Sequence, residues 1–209
     1  MEYVVLIGDI IRSRKVGERT RLMDALLMTV DRLNVFFGPI ILSPFRVVRG
    51  DQFQGLVSSL ALTPKMIVYL KSELYPWKVR VSVGRGTVST GIMSDISLMD
   101  GEAFLRAAEG LEQARRRRRE VIYRVGSAEI ERVTGMVFAV AEVLWRRWNE
   151  ALWRRCVSLM NHKPMKEIAE EEGISYQAVH KSLKRMGVLA LKEALEGLEA
   201  WLREKGDGS

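Results

Sequence analysis

The order in which two kinds of hydrophobic spacing alternate over the first 120 residues constrains this chain's fold more than any other feature. Residues 3–7 form a continuous β-branched and aliphatic run, as in a strand covered on both faces. Leu22, Leu26, Val30, Leu33 and Phe37 then recur at three- and four-residue steps, which predicts a helix over 18–37 that Gly38-Pro39 stops. Strands are expected at 41–48 and 53–57, joined by Gly50-Asp51, because Gly accepts the positive φ of a tight hairpin turn. Thr63 as N-cap and Pro64 at the first helical position predict a helix that ends near residue 74. Trp77, Val79, Val81 and Val83 alternate as in a strand, and Asp100-Gly101 precedes a long helix through residue 119. The order β-α-β-β-α-β is that of ferredoxin-like α+β folds. In such a sheet the first strand lies beside the central hairpin, so the end of strand one and the hairpin tip share an edge.

Beyond residue 126 no further strand pattern is read. We place a boundary at 125–134, giving domains over 1–128 and 129–209, the second all-helical. Residues 139–159 read as one helix rich in Trp and Arg. At helical spacing, Leu144, Trp148 and Leu152 form a core or dimer seam rather than a stacking surface for nucleic acid. Lys163-Pro164 breaks the pattern, and two short helices and a last amphipathic helix over 189–202 follow.

The two short helices carry a recognisable constraint. Helices that cross steeply need a small residue where they touch (Ala169), a residue that turns sharply (Gly173) and an aliphatic plug on the second helix (Val179). Ile168, Ile174 and Leu183 fill the remaining core positions. This helix-turn-helix pattern over 164–187 resembles the DNA-reading region of sigma factors and many bacterial regulators. The resemblance implies that Ser175, Tyr176, Gln177, His180, Lys181 and Lys184 face DNA, with Gln suited to adenine and Lys to phosphates. The acidic first helix (Glu167, Glu170, Glu171, Glu172) counts against DNA, and a helical hairpin for protein contacts is the alternative.

A net charge of +7 points to an anionic partner. The one cysteine, Cys156, excludes an intramolecular disulfide and a cysteine-based zinc site, and is expected to be buried and inert. No apolar run approaches the length of a membrane span, so a cytoplasmic protein with no membrane partner is expected.

Asp9 follows the first strand and Asp51 occupies the predicted hairpin tip. Either they are turn and capping residues, or they are paired carboxylates able to bind Mg2+ through hard oxygen ligands. Such ions hold triphosphate oxygens and activate a hydroxyl for attack on phosphorus. GDIIRSR (8–14) and RGDQFQG (49–55) resemble the two metal motifs of class III nucleotide cyclases and GGDEF-type palm domains. VRVSVGRGTV (79–88) and DGEAFLRAAEG (100–110) resemble their next strand and helix. Together with the helix-turn-helix, the chain is most similar to the SatD family.

That resemblance implies a nucleotide cyclase-like palm in which Asp9, Asp51 and the carbonyl of Ile10 bind Mg2+, with Gly8, Ser13, Arg14, Gly50 and Arg85 at the nucleotide. Leu105, Val47 and Gln52 stand where those families carry the ribose-contacting Asn, the base-reading Lys and an acidic residue. The expectation is therefore a DNA-binding, regulator-like protein whose palm senses a nucleotide. Metal-dependent nucleotidyl transfer or phosphate hydrolysis at Asp9 and Asp51 is one alternative, and a protein-interaction module with a vestigial palm is another. A homodimer fits both palm assembly and paired half-sites. The run Arg115–Arg119 covers more than one helical turn, so its members cannot all face one way. At least one is expected to pair with Glu112 or Glu120.

Overall fold

A computed structural model describes residues 1–15 and 17–206. Its centre is a five-stranded sheet in the order β2-β3-β1-β4-β5, formed by β1 (Tyr3–Ile10), β2 (Ile41–Arg49), β3 (Gln52–Val57), β4 (Val79–Gly86) and β5 (Val121–Arg124). β1 is antiparallel to both β3 and β4, and β2 is antiparallel to β3. The first four strands, with α1 (Arg19–Phe36) and α2 (Thr63–Glu73) between them, thus follow the expected order, and β1 lies beside the hairpin.

β5 corrects the sequence reading, which ran the helix to residue 119 and assigned no strand between there and residue 126. The helix α3 (Glu102–Arg117) stops where Arg118 adopts a left-handed conformation, φ 54°. A glycine would have signalled this stop. The chain then returns as a fifth strand parallel to β4, with α3 as the crossover.

Alternation along β1 divides the core. Val5 and Ile7 face α3, where they meet Ala103, Phe104, Ala107 and Leu111. Val4, Leu6 and Ile10 face α1 and α2. That second core continues without a break into the C-terminal helices: α4 (Ala128–Trp145), α5 (Glu150–Met160), α6 (Met165–Glu172), α7 (Tyr176–Arg185) and α8 (Val188–Gly206). α2 packs against both α5 and α8, and α4 packs against β5.

The helix expected over 139–159 is two helices, because Asn149 breaks it and caps α5 by accepting from the Leu152 N–H at 3.0 Å. Thr63 is not an N-cap: it lies inside the first turn of α2, where its hydroxyl donates to the Leu60 carbonyl and meets the Tyr123 hydroxyl, both at 2.7 Å. Trp148 and Leu152 are buried within the chain, and Trp145, Trp148 and Trp153 pack on one another, as expected of core. Cys156 is buried, and burial pushes its thiol pKa up to about 12. Ile174, expected in the core, is 39% exposed, because the turn between α6 and α7 holds it outward. Among the described residues no helix is long and apolar enough to cross a membrane.

Candidate functional site

The end of β1 and the β2–β3 turn do share one edge of the sheet. Gly50 turns the hairpin with φ 61°, a conformation that side-chain-bearing residues avoid. Asp51 then accepts the Ile10 backbone N–H through Oδ2 at 3.0 Å. The β1–β3 register ends at Gly8 and Phe53, so the Asp51 carboxylate carries the pairing one step further. Gly8 has a packing role here: a Cβ on it would lie 2.3 Å from the Phe53 ring.

Asp9 is buried and its oxygens are occupied. Arg80, opposite it on β4, donates from Nη1 to Oδ1 at 2.9 Å. Arg115, in the last turn of α3, donates to Oδ2 from Nε at 2.9 Å and from Nη2 at 2.6 Å. Burial works to lower the pKa of the Arg115 guanidinium, and the hydrogen bond and charge of Asp9, with Glu112, outweigh it, so the net direction is upward. In a partly buried place such charge-assisted bonds are the stronger kind.

A divalent cation does not fit this donor set as arranged. Two guanidiniums hold Asp9, and Ile10 holds one oxygen of Asp51. Among the described residues no group of three or more His, Cys, Asp or Glu side chains is placed to bind a metal ion. Mg2+ at Asp9 requires Arg80 and Arg115 to let go.

The other residues that the motifs single out fall in two places. Ser13 and Arg14 sit in a single 3-10 turn just after β1, near Asp9. Arg85 does not. It pairs with Val4 near the far end of the β1–β4 ladder, and its Nε contacts Glu2 at 2.9 Å. Five residues of strand, at roughly 3.3 Å each, separate it from Arg80.

Sequence reasoning did not find the ion pairs that tie α2 and α4 to the segment entering β5. Arg119 donates from Nε to Glu142 at 3.0 Å, and buried Glu142 accepts the backbone N–H groups of Glu120 and Val121. Lys71, also buried, donates to Glu120 at 2.7 Å and lies 4.6 Å from the centre of the Trp145 ring. Burial drives the Lys71 pKa down, with Glu120 working against it. Acids and bases spaced 23 and 49 residues apart leave no local pattern in a sequence.

At the C-terminal end, α6 and α7 meet at Gly173, φ 65°, and Ser175 caps α7 by accepting the Ala178 N–H at 3.1 Å. Val179 and Leu183 are buried, whereas Ser175, Tyr176, Gln177, Lys181 and Lys184 are exposed. His180 is half-buried and stacks on Tyr176, with ring centres 6.1 Å apart. Arg155 forks onto Glu172, and Lys163 holds Glu171 at 2.6 Å, so neighbouring cations offset part of the acidity of α6.

Two solved structures, each of a bacterial light-regulated adenylyl cyclase, are similar to the chain. The first is 16% identical over 59% of this chain and 43% of the other, with a TM-score of 0.45. The second is 14% identical over 58% of this chain and 74% of the other, with a TM-score of 0.38. This chain therefore spans less than half of the first cyclase chain. No functionally curated protein matches. The family itself is settled by a match along almost the whole length, residues 3–194: the chain belongs to the SatD family.

Proposed function

We propose that the protein is a DNA-binding, regulator-like protein whose cyclase-like palm serves as a nucleotide sensor. The observation that carries this reading is the outward face of α7. Gln177, Lys181 and Lys184 stand in solvent while Val179 and Leu183 seat the helix on the body. A recognition helix needs that division, with polar side chains free to reach base edges and phosphates. The pairing of Glu171 and Glu172 with Lys163 and Arg155 supports the reading, since it reduces the repulsion that α6 offers to a phosphate backbone. A homodimer would present two such helices to paired half-sites. The stripe Met136, Val140 and Val143, exposed on one side of α4, is the surface we assign to it.

Fluorescence anisotropy of the full chain on duplex DNA across a salt series tests the reading. Affinity should fall steeply with salt, and Lys181→Ala and Lys184→Ala should each reduce the logarithmic slope by about 1. Absence of DNA affinity at low salt sinks the proposal and leaves the hairpin α6–α7 as a protein-contact element. Metal-dependent phosphoryl transfer at Asp9 and Asp51 remains a second reading only in a state that frees Asp9 from its two arginines. Product analysis with and without Mg2+ tests it.

A further inference from the structure

Two adjoining chambers open on the β5 side of the Asp9 edge, and neither is lined by Asp9 or Asp51, although Arg12 of the first motif borders the outer one. The outer one, about 700 Å³, is lined by Arg12, Lys78, Arg80, Arg118, Arg119 and Arg146, with Glu120 as its one acidic residue. The inner one, about 240 Å³, is lined by Trp77, Trp145, Trp148 and Trp153 together with the Lys71–Glu120 pair. They share the walls Pro76, Trp77, Lys78, Glu120 and Arg146.

Three features of these chambers bear on what they hold. Arg80 and Arg119 have carboxylate partners, but among the described residues no carboxylate forms an ion pair with Arg12, Lys78, Arg118 or Arg146. Like charges gathered around one cavity repel, and an anion between them removes that cost. Arg12, in the turn after β1, and Arg118, whose left-handed backbone ends α3, bring two of these cations to the cleft from separate segments of the chain. Finally, a residue lining each chamber carries a buried donor with no hydrogen-bond partner among the described residues: Arg80 Nε beside the outer one and Trp145 Nε1 beside the inner one. Buried donors are rarely left unmatched, and a side-chain shift on ligand binding would let an acceptor in the chamber reach them.

We propose that the joined chambers bind a nucleoside polyphosphate without a metal ion, its phosphates among Arg12, Lys78, Arg118 and Arg146 and its ring in the tryptophan chamber. Arginine and lysine there supply the positive charge that a cation would supply beside carboxylates. The inference rests on the sensor half of the proposed function and moves that sensor off Asp9 and Asp51. It also gives the sensor a link to α7. Trp148, a wall of the ring chamber, donates from Nε1 to the Met186 carbonyl at 3.0 Å, at the residue that caps α7. A ring seated in the chamber touches the group that fixes the end of the outward-facing helix.

Isothermal titration of the full chain in excess EDTA, with ATP, GTP and inorganic triphosphate as probes, decides the matter. At least one nucleotide should bind without metal and more tightly than triphosphate. Lys78→Ala with Arg146→Ala should weaken it by about tenfold or more without lowering the unliganded melting point, since both side chains are exposed and their removal relieves repulsion. Asp51→Asn, which keeps an acceptor for the Ile10 N–H and touches no wall of either chamber, should leave the affinity intact. No nucleotide binding in EDTA, triphosphate binding as tight as nucleotide, or binding unaffected by the double variant would each overturn the proposal. DNA affinity, measured separately on the same protein, keeps the two proposals apart. Its loss with nucleotide binding intact removes the regulator reading alone, and the reverse result removes this inference alone.

Discussion

Arg115, in the last turn of α3, reaches Asp9 at the end of β1 and donates two hydrogen bonds to one carboxylate oxygen, while Arg80 holds the other oxygen from β4. Helix and sheet are therefore clipped together at the edge that Asp9 and Asp51 share. Removing the anion leaves two guanidiniums facing each other, and Arg80 is well buried, with its side chain 13% exposed. Asp9→Ala should destabilise the fold by about 2–4 kcal/mol, more than Arg115→Ala, whose partly exposed charge can find water. A double-mutant cycle on urea unfolding measures the pair directly. A coupling indistinguishable from zero would mean that Asp9 is not held by this clip.

Asp51 gives a sharper discrimination between structural and metal roles. Its carboxylate accepts the buried Ile10 N–H, and a carboxamide oxygen can accept the same bond. Asp51→Asn should therefore cost a few tenths of a kcal/mol, whereas Asp51→Ala leaves the amide unpaired and costs about 1–3 kcal/mol. Hydrogen exchange at Ile10 should accelerate in the alanine variant only. No acceleration in either variant would show that the hydrogen bond does not protect Ile10, and equal acceleration in both would show that the bond needs the charged carboxylate.

The contrast between these groups shows what the sequence made legible. Alternation at Trp77, Val79, Val81 and Val83, the three- and four-residue steps of α1, and Gly50-Asp51 are local signals. Each reappears as the expected element, and together they place Asp9 and Asp51 at one edge. What the sequence could not show are relations without local signature. β5 is four residues long and follows a helix that Arg118, not glycine, terminates. The partners of Asp9 lie 71 and 106 residues away. Arg115–Arg119 is one run on paper, yet Arg115 binds Asp9, Arg119 binds Glu142 and Arg118 lines a cleft. Only the fold separates their roles.

The buried pair Lys71–Glu120 makes a different kind of prediction. Both side chains are nearly inaccessible, 4% and 9% exposed, so neither has water to turn to when its partner is removed. Lys71→Met strands Glu120 and should cost about 3–5 kcal/mol, while Lys71→Met with Glu120→Leu should recover most of the loss. The pH response follows from the lowered Lys71 pKa, of which burial is the largest cause. Between that lowered value and the ordinary 10.5, the unfolded chain binds the proton that the folded chain releases. The Lys71 contribution to stability therefore rises with pH through that window. Urea unfolding of wild type and the double variant from pH 8 to 10.5 should show this rise only in the wild type. Identical pH profiles would rule out the linkage.

The continuity of the core predicts how the chain comes apart. Met66, Ile67 and Leu70 on α2 are fully buried, and α2 packs against α5 and α8. Leu60 lies just beneath Gly206, where a Cβ would be 2.9 Å from it. Uncovering three such side chains, at roughly 1.5–3 kcal/mol each, forfeits roughly 5–9 kcal/mol. That is comparable to the whole stability of a domain, about 5–15 kcal/mol. Residues 1–128 expressed alone should therefore lack a cooperative thermal transition and should bind hydrophobic dyes. The full chain should unfold in one transition, with tryptophan fluorescence and far-ultraviolet circular dichroism coincident. A cooperative melt of the shortened chain would show that the sheet, α1, α2 and α3 hold together without the C-terminal helices. The tryptophan chamber would then be an interface between independently folding parts.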